Sequence, residues 1–222
     1  MRQPLRPLLL WAMGLVMTAP ALANSSSEWR LSEVCPAGFH LRDGGCYLQS
    51  FYSGYSSLQQ SGVGGLKTGM PPLREGFTAQ QIDLGRLLFF DPLLSVDGDM
   101  ACSSCHQPAR GFSDGLAGSI GRHGEGMHRS APTLWNVGFL RELFWDARAK
   151  SLEEQMQGPL FSQEEMANSP DQLLKSLRDN AKYRDLFNQA FGDDTLSLEQ
   201  VYTALTAFQS SLVSLGSRYD LY

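Results

Sequence analysis

The stretch Ala101-Cys102-Ser103-Ser104-Cys105-His106 limits what this chain can be more than any other. Two cysteines separated by two residues, with a histidine directly after, form the attachment signature of a c-type haem. The chemistry needs that order. Cys102 and Cys105 add their sulfurs across the two haem vinyl groups, and the spacing sets both thiols on one side of a single turn. His106 then lies under the ring, where a neutral imidazole coordinates iron as the proximal ligand. Two other chemistries use a C-x-x-C pair. A thioredoxin-like redox pair expects a βαβ setting with a strand just ahead, whereas Asp97-Gly98-Asp99-Met100 is a polar loop. A zinc site needs two further ligands, and no second Cys/His cluster with finger-like spacing is present in the sequence.

The compartment agrees with haem. Residues 1–23 read as a secretory signal peptide: Arg2 and Arg6 form a positive start, Leu8 to Met17 an apolar core, and Ala21-Leu22-Ala23 a cleavage site. The competing reading, an uncleaved anchor, meets an apolar run too short to span a bilayer. A mature protein beginning near Asn24 is expected in the periplasm, and covalent c-type attachment is extracytoplasmic in bacteria. Losing Arg2 and Arg6 takes the formal charge from −5 to −7, a mildly acidic balance that argues against a nucleic-acid partner. No later apolar run is long enough for a membrane span.

Cys35 and Cys46 read as a small disulfide loop with Asp43-Gly44-Gly45 as its turn. A metal or redox site is the rival reading, with only His40 as an added ligand. Residues 24–70 are expected to be an extended N-terminal segment carrying this loop, loosest over the Ser-, Gly- and Tyr-rich residues 50–72. The domain proper is expected over 71–222. Thr78 to Gln81 is a capping-box pattern for a helix with Ile82, Leu84, Leu87 and Leu88 on its apolar face, ended by Asp91-Pro92. The chain then stays Gly-rich and irregular to about residue 150, a length of loop that usually means function. Helices return with Ser169-Pro170-Asp171 ahead of Leu173, Leu174 and Leu177, and with the stripe Tyr183, Phe187 and Phe191. A second capping box, Ser197 to Gln200, precedes Val201, Leu205, Phe208 and Leu212, with Gly216 as the C-cap. No strand-like alternation persists, so the domain is expected to be mostly α.

Several ordered motifs of this region resemble the bacterial di-haem cytochrome c peroxidase family, which includes MauG-like enzymes. They are Leu84-Gly85-Arg86-Leu87-Leu88-Phe89-Phe90-Asp91, the C-x-x-C-H stretch and Gly111-Phe112-Ser113-Asp114-Gly115, followed by Arg129-Ser130-Ala131-Pro132-Thr133-Leu134-Trp135-Asn136, Leu143-Phe144-Trp145-Asp146-Ala147-Arg148, Ser151 to Gln155 and Glu165-Met166. The resemblance implies a cytochrome c-like haem domain with long irregular loops around one covalently bound haem c. It implies Cys102 and Cys105 as anchors, His106 as the proximal ligand and Trp145 as an electron relay toward a second haem; without it Trp145 reads as a core residue. Gln155, Pro159 and Glu165 fall where the family lines the open face of the haem, Glu165 as the acid–base group for peroxide and Gln155 as its orienting partner. The substrate implied is hydrogen peroxide. The electrons come from a second haem or a small periplasmic donor, a cytochrome c or cupredoxin; a MauG-like member instead oxidises a side chain of a protein substrate. A homodimer is left open.

Two departures stand out. The removable sixth ligand of the family aligns with Arg122, one residue from His123, so either His123 takes that role or the iron stays open as in MauG-like members; His128 is a further candidate. Ser130 stands where the family usually has a calcium-binding Asn, and a hydroxyl is the weaker ligand, which argues against calcium. The chain carries one C-x-x-C-H and ends at the family's domain junction, so truncation before a second haem domain is expected. The alternative class is a non-enzymatic mono-haem electron carrier, which needs a permanent sixth ligand from Met127, Met156 or Met166.

Overall fold

The computed structural model describes residues 29–49, 73–193 and 195–214. The leader over residues 1–23, the approach over 50–72 and Gly216 lie outside the described residues. Within them the fold is mostly helical. Helix α1 (Ala79–Phe90) begins as its sequence predicts: Thr78 Oγ1 accepts from the Gln81 amide and the Gln81 side chain accepts from the Thr78 amide, both at 3.1 Å. Ile82, Leu84, Leu88 and Phe89 are buried on its inner face. Asp91 ends it and caps the 3-10 turn Pro92–Leu94 through the Leu93 amide at 2.9 Å. Next come α2 (Cys102–Cys105), α3 (Leu152–Gln155) and α4 (Gln157–Phe161), each about one turn long. Three longer helices close the chain: α5 (Pro170–Asp179), α6 (Ala181–Phe191) and α7 (Leu198–Ser211). The Ser169 and Ser197 caps form as expected, but α7 ends at Leu212, ahead of Gly216.

Helices α1 and α7 form the central pair. They approach so closely at Gly85 that a Cβ there would stand 1.8 Å from the Ala204 carbonyl oxygen. No other residue type fits this crossing. Leu84, Leu88 and Phe89 join Leu173, Leu177, Leu186, Phe187, Val201 and Leu205 in one core. Tyr183 donates to Asp91 Oδ2 at 2.5 Å, tying α6 to the end of α1, and burial holds its phenol far above the usual range.

One short hairpin lies ahead of the helical domain. Phe39–Arg42 (β1) and Gly45–Leu48 (β2) pair as an antiparallel hairpin, with Phe39 opposite Leu48. Its two-residue turn is Asp43-Gly44, both at positive φ, while Gly45 already belongs to β2. Strands of four residues are too short to register as alternation. The Cys35–Cys46 disulfide is formed. Cys46 exchanges backbone bonds with Gly76 and Phe77 and packs with Ala79, Ile82 and Ala207 in a second small core. The hairpin therefore seals the start of α1 against α7. Ahead of it residues 29–32 cross the helices: Leu31 is buried, its amide donates to Gln189 Oε1, and the Ser32 amide donates to Asp83.

The irregular stretch after α1 has an order that the sequence does not announce. Three loops are each closed by an isolated antiparallel bridge between residues six apart: Gln107 with Ser113, Ile120 with Gly126, and Leu143 with Ala149. They carry, in turn, the groups around His106, the Arg122–His123 pair and Trp145.

Candidate functional site

The site begins at α2. Its single turn sets Cys102 and Cys105 on one side, both as free thiols, and the His106 amide closes the turn on the Cys102 carbonyl at 2.9 Å. Ser104 Oγ accepts from the Ala101 amide and fixes the start. Burial pushes the Cys102 thiol up to about 12 and raises Cys105 as well, so both stay protonated until they react. Among the described residues no group of three or more His, Cys, Asp or Glu side chains is assembled for a metal ion.

His106 is held by backbone. Its Nδ1 lies 2.9 Å from the Phe112 carbonyl and 3.1 Å from the Pro132 carbonyl. Two acceptors on one nitrogen make Nδ1 the protonated one, which leaves the Nε2 lone pair free to bind iron. Burial also lowers the imidazole below its usual range, against the pull of both carbonyls and of Asp114. The Phe112 carbonyl reaches His106 because Gly111 and Phe112 both take left-handed backbone, at φ 68° and 58°. For a phenylalanine that conformation is strained and is kept by its surroundings. Its ring packs edge-on against Trp135, centroids 5.4 Å apart, and Ser113 and Thr133 pin the loop to residues 131–133. Phe89 of α1 touches the His106 ring at 6.4 Å.

Glu165 belongs to the same place. It is half-buried while its neighbour Glu164 is exposed, so the two are not an ordinary solvated pair. Burial raises its carboxyl, Glu164 adds to that, and Arg148 opposes it. Its charge adds slightly to the rise of both the Cys102 and the Cys105 thiol, so it lies within electrostatic reach of α2. Pro159 and Gln155 are half-buried; the Pro159 carbonyl accepts from Met166, next to Glu165, at 3.1 Å.

The other candidates stand apart. Trp145 is 93% exposed, which rules out a core role. It projects from a loop in which Phe144 and Ala147 have φ of 64° and 55°, with the Arg148 guanidinium stacked 3.4 Å over the Phe144 ring. His123 and His128 are exposed. Arg122 is clasped instead, its guanidinium paired with Asp97 and its amide donating to the Glu164 carbonyl at 3.0 Å. Met156 and Met166 are buried in the main core. Sequence reasoning missed the carbonyls of Phe112 and Pro132, the Arg148 guanidinium and Asp114. Gly111 marks a turn, but no residue type announces a phenylalanine in left-handed backbone. A surface cleft of about 380 Å³ between Arg74, Glu153 and Tyr202 contains none of these groups.

A pair of unpaired thiols one turn apart, next to an imidazole presenting Nε2, fits a covalently attached haem. The sequence profile of the family described as di-haem cytochrome c peroxidase matches residues 79–222. The chain belongs to the di-haem cytochrome c peroxidase family. Among its relatives are the cytochrome c551 peroxidase of Nitrosomonas europaea, 37% identical over 142 residues, and the methylamine utilization protein MauG of Methylophilus methylotrophus, 40% identical over 149. These alignments cover 64% and 67% of this chain but 42% and 44% of the relatives. The chain thus spans less than half the length of the curated relatives it matches. The crystal structure of a MauG-like protein associated with microbial copper homeostasis superimposes with a TM-score of 0.63 at 35% identity, over 69% of this chain and 47% of that one. This peroxidase family implies haem c, and its match excludes the disulfide hairpin and the strap before it. No helix among the described residues is long and apolar enough to cross a membrane.

Proposed function

We propose that this chain is a haem-bearing domain of a periplasmic peroxidase that reduces hydrogen peroxide, with one haem c held by Cys102, Cys105 and His106. The observation that carries the reading is the position of Glu165, a half-buried carboxyl with raised affinity for its proton beside the thiol pair. A simple electron carrier has no use for an acid–base group there. Cys102 and Cys105 would hold the haem by adding S–H across its two vinyl groups, an addition with no leaving group, and His106 would bind its iron through Nε2. When bound, the haem supplies the iron that accepts oxidation by peroxide.

With the haem bound, Glu165 would take a proton from one peroxide oxygen and return it to the other, so that water leaves. Gln155 orients the peroxide through its amide, and Pro159 borders the open face. The Arg122 clasp and the exposure of His123 support an open sixth position over ligation by His123. Ser130 in place of an amide ligand argues against calcium. Trp145 offers a large π-system at the surface, suited to electron transfer with a second haem domain, a cytochrome c or a cupredoxin. A MauG-like use of the same relay, drawing electrons from a partner protein's side chain, remains within this reading.

The test is the visible spectrum of the haem-loaded full chain before and after one equivalent of peroxide. A high-spin ferric spectrum that changes on addition, at least 100-fold more slowly in Glu165→Gln, is the expected result. A low-spin, methionine-ligated spectrum indifferent to peroxide refutes the reading and leaves an electron carrier.

A further inference from the structure

Asp114 has no part in the mechanism above, yet its carboxylate is among the most enclosed charges in the protein, at 3% exposure. It sits on the loop that holds the imidazole. The isolated antiparallel bridge between Gln107 and Ser113 brings together the segments that carry His106 and Asp114. Asp114 also acts electrostatically on both His106 and Cys105.

Its neighbours keep it charged without cancelling the charge. Burial alone favours the neutral acid, but the Ser119 hydroxyl, the Leu116 amide at 3.0 Å from Oδ1 and His106 outweigh it and hold the carboxyl below its usual range. Oδ2 is buried with no aligned donor. The nearby cation, Arg110, donates to the Asp114 backbone carbonyl and not to the carboxylate. An imidazole that already has two carbonyl partners does not need this buried carboxylate to orient it. Its effect is one of potential.

We propose that Asp114 is a fixed negative countercharge to His106 that biases the bound haem toward its ferric state. The inference rests on the reading that Cys102, Cys105 and His106 hold the haem. A negative charge close to the iron, in a medium of low polarisability, stabilises the more positive oxidation state. The ferric form is also the one that meets peroxide, so the charge keeps the resting site ready between turnovers.

The test is the midpoint potential of the haem-loaded full chain, measured by spectroelectrochemistry. Asp114→Asn is expected to move the ferric-to-ferrous ratio at a given potential about tenfold toward ferrous, which is +59 mV for a one-electron couple. Asp114→Glu keeps the charge and should stay near the wild type. Arg110→Gln removes the one cation on this loop and should shift the midpoint in the opposite direction; it decides the matter if Asp114→Asn does not hold haem. Unchanged midpoints in Asp114→Asn, or in Arg110→Gln where that variant alone can be measured, overturn the proposal. A wild-type protein that carries no covalent haem overturns the site reading beneath it, and this inference with it.

Discussion

Replacing Gly85 with alanine tests the central crossing and its link to the haem site. Two effects of opposite sign compete. Alanine is the better helix former by about 1 kcal/mol in a helix interior, so propensity alone predicts stabilisation. Against it, the new Cβ would stand 1.8 Å from the Ala204 carbonyl oxygen and 2.9 Å from Phe208 Cβ. The first obstacle is backbone inside α7 and does not rotate away. Relief to an ordinary contact near 3.5 Å moves α1 and α7 apart by about 1.7 Å. Overpacking of this kind costs about 1–3 kcal/mol, and prising apart the two central helices lies at or above the upper end. The steric effect wins, for a net loss of about 2 kcal/mol. In a domain of this size that lowers Tm by about 4–8 °C. Thermal unfolding of the haem-loaded protein, followed by far-UV circular dichroism, reads it directly. Since Phe89 lies one turn on and touches the His106 ring, the Soret band should shift as well. An alanine variant as stable as the wild type, or more so, refutes the reasoning about this crossing.

Three further outcomes are expected. Glu165 is an acid whose pKa is raised by burial, so the folded state favours its protonated form and the stabilisation tied to that proton fades as pH rises through the raised value; Glu165→Gln should match the wild type in chemical denaturation at acid pH and exceed it at neutral pH, and the rise of kcat/KM with pH should lose its lower limb. Replacing Cys35 and Cys46 together by serine opens a loop with a sequence separation of 11 and should cost about 3 kcal/mol in denaturant titration, while covalent haem, assayed by peroxidase-stained gel, stays attached. Trp145→Ala should leave stability within about 0.5 kcal/mol, because the side chain is 93% exposed, yet slow turnover with an external reductant at least tenfold in stopped-flow; normal turnover removes Trp145 from the electron path.

What the sequence conveyed depended on how locally each feature is encoded. The caps at Thr78, Ser169 and Ser197 were legible because a capping side chain bonds to an amide two or three residues on, and the structure holds each of them. The C-x-x-C-H turn was legible for the same reason. The hairpin at 39–48 escaped because four-residue strands carry too few alternations, although Asp43-Gly44 marks its turn. The partners of His106 escaped more completely. They are carbonyl oxygens, which every residue owns, and they arrive from 6 and 26 residues away. The resemblance alone picked Glu165 over Glu164, and burial separates the two in the structure. Trp145, by composition an interior residue, is held outside by two left-handed positions on either side of it, which residue type alone did not disclose.

The three bridged loops divide labour in a way that bears on how such a protein changes over time. Each closes on itself through a bridge between residues six apart, and the first is held besides by residues 131–135. One grips the His106 imidazole, one carries Arg122 and His123, and one carries the exposed indole of Trp145. A substitution within the loop that carries Trp145 therefore leaves in place the bridge that closes the loop around His106, so the exposed indole and the grip on the imidazole can be altered one at a time.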